Sequence, residues 1–519
     1  MRPAALPEND PTECCTLIHP AAAHVDTQNN PRLRVVLAER PVLFWFRDDL
    51  RLADNPGLAA AVAAGKPVLA VYVLDEESRE ARPMGGASKW WLDKSLRALS
   101  ERIAAKGGKL VLRRGKAEDV IAGLVEETGA EAVYWNRRYG PARKIDERIK
   151  AALKDDGIEA HSFNGALLAE PFAIKTGSGG DFKVFTPFWK AMQASIVMPA
   201  AAPEPRTLVA PPKVKSDDID DWGLHPVKPD WSGGMAKAWT PGEMAARKRL
   251  RDFLAGPIHG YAAGRDRPDQ DGTSRLSPYL HFGEISPHQI WRAAVHAEET
   301  GDAPSKDVWK FLSEIAWRDF SHHLLYHDPK MGTLSWRRQF EGIEWRKGTK
   351  AELEAWKRGR TGYPIIDAGM RELWTTGFMH NRVRMIVASF FAKDLLVHWR
   401  RGEEWFWDTL VDADEANNAN GWQWTAGTGA DAAPYFRVFN PVLQGEKFDP
   451  NGDYVRQWVP ELAALPPKWI HKPWDAPESV LADAGVTLGD TYPEPIIDHD
   501  FARKRALETY KTSSQDSIA

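Results

Sequence analysis

Five short apolar runs separated by helical patterns constrain the first third of this chain more than anything else in it. The runs are Val42–Phe46, Val68–Leu74, Leu110–Leu112, Ala132–Trp135 and, more weakly, Ile158–Phe163. Short continuous apolar runs suit strands buried on both faces. Between them, Pro56–Ala64, Ser88–Ala105, Ala117–Thr128 and Ala142–Lys154 carry helical patterns. Strands alternating with helices imply right-handed crossovers and a parallel sheet. The expectation is a doubly wound, Rossmann-like α/β domain over residues 39–168, with ligands at the carboxyl ends of its strands. No GxGxxG follows the first strand; Arg47-Asp48-Asp49-Leu50-Arg51 and Asp54-Asn55-Pro56 stand there instead. Such a density of Arg and Asp reads as an ion-pair network in preference to a site wall.

From Gly242 onward the periodicity is helical. The candidates are Glu243–Leu254, Ser286–Glu298, Asp307–Tyr326, Lys350–Lys357, Ile365–Thr375, Asn381–Arg400 and Glu403–Val411. Strand signals are scarce, so residues 242–498 are expected to form a second, all-α domain. Residues 169–241, with Thr176–Gly180 and the proline-rich Pro199–Pro212, are too long for a simple loop. They read as a connector that wraps one domain. Residues 1–38 lack periodicity and an apolar export signal, and are expected to be a disordered extension. The polar end, 499–519, is expected to be a frayed tail.

The bulk properties exclude several classes. No apolar run reaches membrane-spanning length. The two cysteines, Cys14 and Cys15, are adjacent, which excludes a disulfide framework or a cysteine metal site and fits a reducing cytosol. His322-His323 and the other histidines lack HExxH spacing, so no metal is expected. A net charge of −4 does not suggest a nucleic-acid binder overall, although a local basic patch suffices for one.

Five stretches carry possible chemistry, each with a plainer reading beside it. Asp412–Arg437 holds two carboxylates (Asp412, Asp414), two amides (Asn417, Asn418) and Trp422-Gln423-Trp424. It reads either as a pocket for a polar, planar heterocycle or as a glycine-rich loop with surface acids and core indoles. Gly272–Leu280 places Thr273, Ser274, Arg275 and Ser277 before a helix, which suits phosphate oxygens or an ordinary cap. In Phe311–Ser321, Glu314 and Arg318 are four apart on a helix with Trp317 beside them: a surface ion pair or a site. In Met379–Met385, Asn381 and Met385 share a helical face, as a pocket rim or a helix start would. The basic, Trp-interleaved segment Trp336–Arg360 reads as a solvated face or a phosphate-tracking surface. Tryptophan, at 23 copies, serves a large core, ligand stacking, redox relay, or all of these.

Together these stretches resemble the photolyase/cryptochrome family. FWFRDDLRLADNPGL, GTSRLSPYLHFG, RTGYPIIDAGMRELWTTGFMHNRVRM, DADEANNANGWQW and GTGADAAPYFRVFNP follow one another in the family's order over about residues 41–475. The resemblance implies an α/β antenna domain and a helical domain that buries FAD, and within the family it is strongest to microbial cyclobutane-dimer enzymes. It implies a carbon–carbon lyase in which light-excited FADH⁻ lends an electron to a flipped-out pyrimidine dimer. By resemblance Tyr261, Thr273, Ser274, Arg275, Leu276, Ser277, Arg384, Asp412, Asp414 and Asn418 hold the FAD, with Asn418 facing flavin N5. Glu314, Trp317, Asn381, Met385 and Trp424 line the dimer pocket. Arg265, Arg318 and Arg382 join Glu314, Trp317 and Asn381 at the DNA. Trp422, Trp399 and Trp345 form the relay that photoreduces the flavin.

The sequence departs from the family pattern in three places. Phe311 stands where some relatives carry a lesion-facing Trp. Ala142-Arg143 replaces an Asn-Glu pair that holds a folate in one subgroup. The interval between Trp345 and Trp356 is one residue longer. A second, antenna chromophore stays open, 5,10-methenyltetrahydrofolate in preference to a deazaflavin, and Trp90 and Trp91 read as helix packing or as a stack upon it. The implied partner is UV-damaged DNA, met by a monomer in the cytoplasm and at the nucleoid. The alternatives are a cryptochrome, which shares FAD but signals; a (6-4) photolyase, whose chemistry wants a pocket histidine where Met385 stands; and a plain flavin- or DNA-binding protein.

Overall fold

Five consecutive apolar residues, Val42–Phe46, are all buried and can only be a central strand. This strand, β1, pairs in parallel with β2 (Val68–Leu74) on one side and β4 (Ala132–Asn136) on the other; Val42 lies opposite Val68 and Ala132. The outer strands are β3 (Leu110–Arg114) and β5 (Glu159–Phe163), giving the order β3-β2-β1-β4-β5. The helices Pro56–Ala63, Gly86–Ala105, Ala117–Thr128 and Arg143–Asp155 are the crossovers. Strand order reverses between β1 and β4, and a cavity of about 200 Å³ opens at the carboxyl ends of β1, β2 and β4. The computed structural model describes residues 40–209, 214–434 and 437–516; the disorder expected for 1–38 lies outside them.

The Arg/Asp cluster after β1 is an ion-pair and hydrogen-bond network at the edge of this cavity. Arg47 pairs with Asp146 at 3.1 Å, and Asp49 accepts from the Arg47 backbone at 2.7 Å and from Asn136 Nδ2 at 2.5 Å. Arg51, fully buried, donates to Gly165 O at 2.7 Å and to Gly283 O at 2.8 Å in the helical half. Trp90 and Trp91 are also buried; Trp91 packs on Trp239, Tyr279 and Phe282 of the helical half. Both rings are therefore packing groups, with no face left for an antenna.

The helical half contains the expected helices, with two corrections. Asn381–Arg400 is not one helix: it runs to Ser389, passes through a π-helical turn at Phe390–Asp394, and restarts as Trp399–Thr409. Lys393 and Asp394 are buried in the turn, and Leu396 has φ of 51°, which ends the helical path. The polar end does not fray from residue 499 as expected; His499–Asp516 is a helix whose His499 Nδ1 meets Asp394 at 2.5 Å. The connector carries its own helix, Phe185–Ser195, which packs on Ser305–His327. None of the helices among the described residues is long and apolar enough to cross a membrane.

Candidate functional site

The Asp412–Arg437 stretch is a helix over Glu415–Ala426, set by Asp414. The Asp414 carboxylate accepts from Asn417 N and Asn417 Nδ2, both at 2.7 Å, as an N-cap does. Its other oxygen lies 3.1 Å from His322 Nε2. Burial by itself would raise the Asp414 pKa; His322, followed by Arg318 and His281, outweighs it and holds the carboxyl far below the usual range. Asp412 accepts from Ser277 Oγ at 2.6 Å and from Arg384 Nη2 at 3.0 and 2.9 Å. Arg384 is steadied by donating Nε to Met379 O at 2.7 Å. Next on the helix, Asn418 donates Nδ2 to Glu403 O at 3.0 Å and to Glu403 Oε1 at 2.7 Å. Arg82 of the α/β half grips Glu403 bidentately at 2.7 and 2.9 Å.

These groups border two adjoining cavities. One, of about 490 Å³, is lined by Asn418, Trp422 and Trp424 on the Glu415–Ala426 helix, Asn381 and Met385 on Asn381–Ser389, and Glu314 and Trp317 on Ser305–His327. The other, of about 300 Å³, is lined by Tyr261, the Thr273–Ser277 run and Asp414. Arg384, Asp412 and Asn417 line both, so the two spaces are continuous. Arg275 holds a left-handed φ of 49°, which folds the Thr273–Ser277 run around the smaller space. Its guanidinium lies over Trp239 at 4.6 Å, and its buried Nε has no hydrogen-bond partner. Hydroxyls and an unsatisfied guanidinium at one end, with carboxylates and an amide at the other, fit the diphosphate and the polar ring edge of a large dinucleotide.

Residues 42–206 match the family model described as DNA photolyase, and residues 311–512 match the FAD binding domain of DNA photolyase. A deoxyribodipyrimidine photo-lyase of Agrobacterium fabrum is 52% identical over 477 residues, 91% of this chain and 98% of that protein. The chain belongs to the photolyase/cryptochrome family. Cryptochrome-1 of Arabidopsis thaliana, 40% identical over 90% of this chain and 69% of its own length, is a more distant member. Among solved structures, a bacterial class III photolyase from Agrobacterium tumefaciens superposes with a TM-score of 0.90 at 51% identity, covering 93% of this chain and 100% of that one. A Synechocystis cryptochrome gives 0.83 at 30% identity, covering 90% and 99%.

With the family established, the mouth of the larger cavity can be set beside the expectations for it. Glu314 pairs with Arg265 and with Lys310 (2.8 Å), not with Arg318 as its helical spacing suggests. Arg318 is turned inward, donating to Ala166 O at 2.7 Å between the halves, so it does not join a DNA-facing surface. Arg382 pairs with Asp266 at 2.8 Å, and Asn381 Nδ2 points at Met385 Sδ, 3.9 Å away. Trp317 is stacked on Phe185 of the connector helix at 3.8 Å, which fixes the plane of its ring. Phe311 is buried against Phe253 and Tyr261 beside the smaller cavity, away from the lesion-pocket position expected for it.

Of the three tryptophans expected to form a relay, Trp422 reaches the larger cavity and Trp399 is fully buried. Trp345 lies 5.2 Å from the ring of His398, which in turn lies 5.5 Å from Trp399. Trp422 packs on Phe406 at 5.0 Å and on Trp356 at 6.3 Å. Gly402 makes room for it, since a Cβ there would overlap the indole. The basic segment contributes no wall to the cavities: Arg338, Arg346 and Arg358 pair with Asp328, Glu352 and Glu354. Ala142 borders the interdomain cavity, but Arg143 turns away to Tyr326. Sequence reasoning missed Arg82 and Glu403, which no local pattern joins, and Arg437, which lines the larger cavity. It also left the site role of Asn417 open, although its spacing from Asp414 is that of a capped helix start.

Proposed function

We propose that this chain is a deoxyribodipyrimidine photo-lyase, a flavoenzyme that binds UV-damaged DNA and splits cyclobutane pyrimidine dimers in light. The observation that carries the reading is the continuity of two cavities with different chemistry, one polar at both ends and one walled by Trp317, Trp424 and Met385. Thr273, Ser274, Arg275, Leu276 and Ser277 hold the diphosphate of FAD, with Tyr261 beside it. Asp412, fixed by Arg384 and Ser277, and Asp414, fixed by His322 and Asn417, hold the ribityl and ring-edge groups. Bound and fully reduced, the flavin supplies one photoexcited electron to the dimer and takes it back once the ring has opened.

The protein's own contribution is position. A dimer inside a duplex is out of reach, and extruding it costs less than extruding a well-stacked pair. The aromatic walls Trp317 and Trp424 receive the everted bases, and Glu314 and Asn381 anchor their polar edges. Arg265, Lys310 and Arg382 ring the mouth where phosphates pass. Trp422, Trp399 and Trp345 would carry electrons from an external reductant toward the bound flavin. A second chromophore, a folate in preference to a deazaflavin, belongs to the same reading; the charged interdomain cavity and the parallel surface pair Trp374–Trp405 are two places with walls for one. The enzyme works in the cytoplasm, as a monomer.

The test is recovery of thymine absorbance when chemically reduced protein and UV-irradiated oligothymidylate are exposed to blue light. Recovery in light and none in darkness is expected. Flavin-loaded, fully reduced protein that restores nothing belongs with the cryptochromes instead.

A further inference from the structure

The geometry points to Arg82, on the α/β half, as the positioning residue that fixes which atom of Asn418 faces the ligand. The inference rests on the flavin reading above. Asn418 sits at the cavity wall with its Nδ2 committed to two acceptors of Glu403, the backbone carbonyl and Oε1. An amide turned the other way would set its oxygen against both acceptors, so only one orientation fits this pair. That orientation leaves Oδ1, an acceptor, for the ligand.

What holds the Glu403 side chain in place comes from the other half of the molecule. Its side chain is 1% exposed, and a carboxylate this deep needs a counter-ion. Arg82 supplies one in the bidentate geometry that binds both oxygens, and Oε1 serves Arg82 and Asn418 together at 2.7 Å each. Arg82 is itself held in place: its guanidinium lies over the Trp407 ring at 3.9 Å, and Trp407 Nε1 donates to Pro83 O at 2.8 Å. Gly85 lies so close to the Trp407–Asp408 backbone that a Cβ there would overlap it, which pins the segment carrying Arg82. Removing Arg82 leaves the buried Glu403 side chain without its bidentate partner and free to turn. A Glu403 that no longer presents Oε1 to Nδ2 gives up one of the two acceptors that set the amide's orientation. Arg82 also walls the interdomain cavity, so the contact joins that space to the flavin site.

The experiment is an infrared difference spectrum, oxidised against reduced, on flavin-loaded protein carrying isotope-labelled asparagine. The Asn418 band is assigned by its loss in Asn418→Ser. Wild type should show a side-chain carbonyl band that shifts on reduction. Arg82→Gln should lose the shift, and Arg82→Lys, which keeps the charge, should retain it. Light-driven splitting by Arg82→Gln should fall about tenfold, the scale of one hydrogen bond. In a Glu403→Gln background, Arg82→Gln should change nothing further, as a residue acting only through Glu403 requires. If Arg82→Gln does not fold, Glu403→Gln alone must lose the shift. An unchanged shift in a folded, flavin-loaded Arg82→Gln or Glu403→Gln protein overturns this inference and leaves the functional reading standing. A wild-type protein that binds no flavin overturns both.

Discussion

At the carboxyl end of β1, Arg47, Asp49, Asn136 and Asp146 bond mainly to one another; around the helical cavities, Asp412, Asn418 and Arg384 are held by partners drawn from separate elements. In the first set Arg47 meets Asp146, and Asp49 meets Asn136 and the Arg47 backbone, with Arg51 tying the network to both halves. The second set is held as firmly, but it walls the larger cavity together with Trp317, Trp422 and Trp424. Each region also keeps a buried guanidinium Nε without a partner, on Arg47 and on Arg275. Buried charge and an orphaned donor therefore mark no site by themselves. What distinguishes one is a rigid polar set facing a space with aromatic walls.

The largest effects should separate the two regions. Arg384→Ala leaves Asp412 buried without its counter-ion and should cost about 3–5 kcal/mol; Arg47→Ala should cost less, because Arg138 still pairs with Asp146. Only Arg384→Ala should also lose flavin, measured as released chromophore per chain; flavin loss from both would break the comparison. Gly402→Ala should come next, at about 1–3 kcal/mol, because its Cβ displaces Trp422. Thermal unfolding should report the loss, and slowed photoreduction should report the displaced indole.

Glu314→Ala should leave flavin content unchanged and slow dimer splitting, by about tenfold or more if a charge-assisted bond to the dimer is lost. Glu314 borders both cavities, so flavin release from this variant would mean that its main contact is with the flavin and not with the dimer. The smallest effect concerns His380, whose Nδ1 accepts from Arg382 N at 3.2 Å and caps the helix bearing Asn381, Arg384 and Met385. Burial, helped by Arg265, Arg382 and Arg384, pushes its pKa down to about 4 from 6.5. The unfolded chain then takes up a proton first, so stability falls as pH drops from about 6.5 to about 4. His380→Asn keeps the capping acceptor and should flatten that limb in unfolding scans, at a cost near zero or about 1 kcal/mol at neutral pH.

How much of this was legible depended on whether the signal was local. The strands of the sheet and the helix Lys350–Lys357 are local, the latter bounded by a Thr349/Glu352 capping box. The break after Ser389 was hidden because Phe390, Phe391, Ala392, Leu395 and Val397 continue an apolar pattern straight through the π-helical turn. The Glu415–Ala426 helix was hidden for the opposite reason: Asn418, Asn420 and Gln423 face partners on other elements, Asn417 bonds back to its own N-cap Asp414, and together they erase its apolar stripe. The Thr273–Ser277 run and the carboxylates could be picked out by composition, but the pairing of the carboxylates with Ser277, Arg384 and His322 could not. Arg82 and Glu403 lie 321 residues apart, and nothing short of the fold joins them.

The central claim is that the two continuous cavities bring a reduced flavin and an everted dimer within electron-transfer range. The most direct measurement is the excited-state lifetime of the reduced flavin in the loaded protein, with saturating dimer-containing or undamaged single-stranded oligonucleotide. A lifetime shortened by the dimer alone is predicted. The same lifetime with damaged DNA demonstrably bound would contradict it.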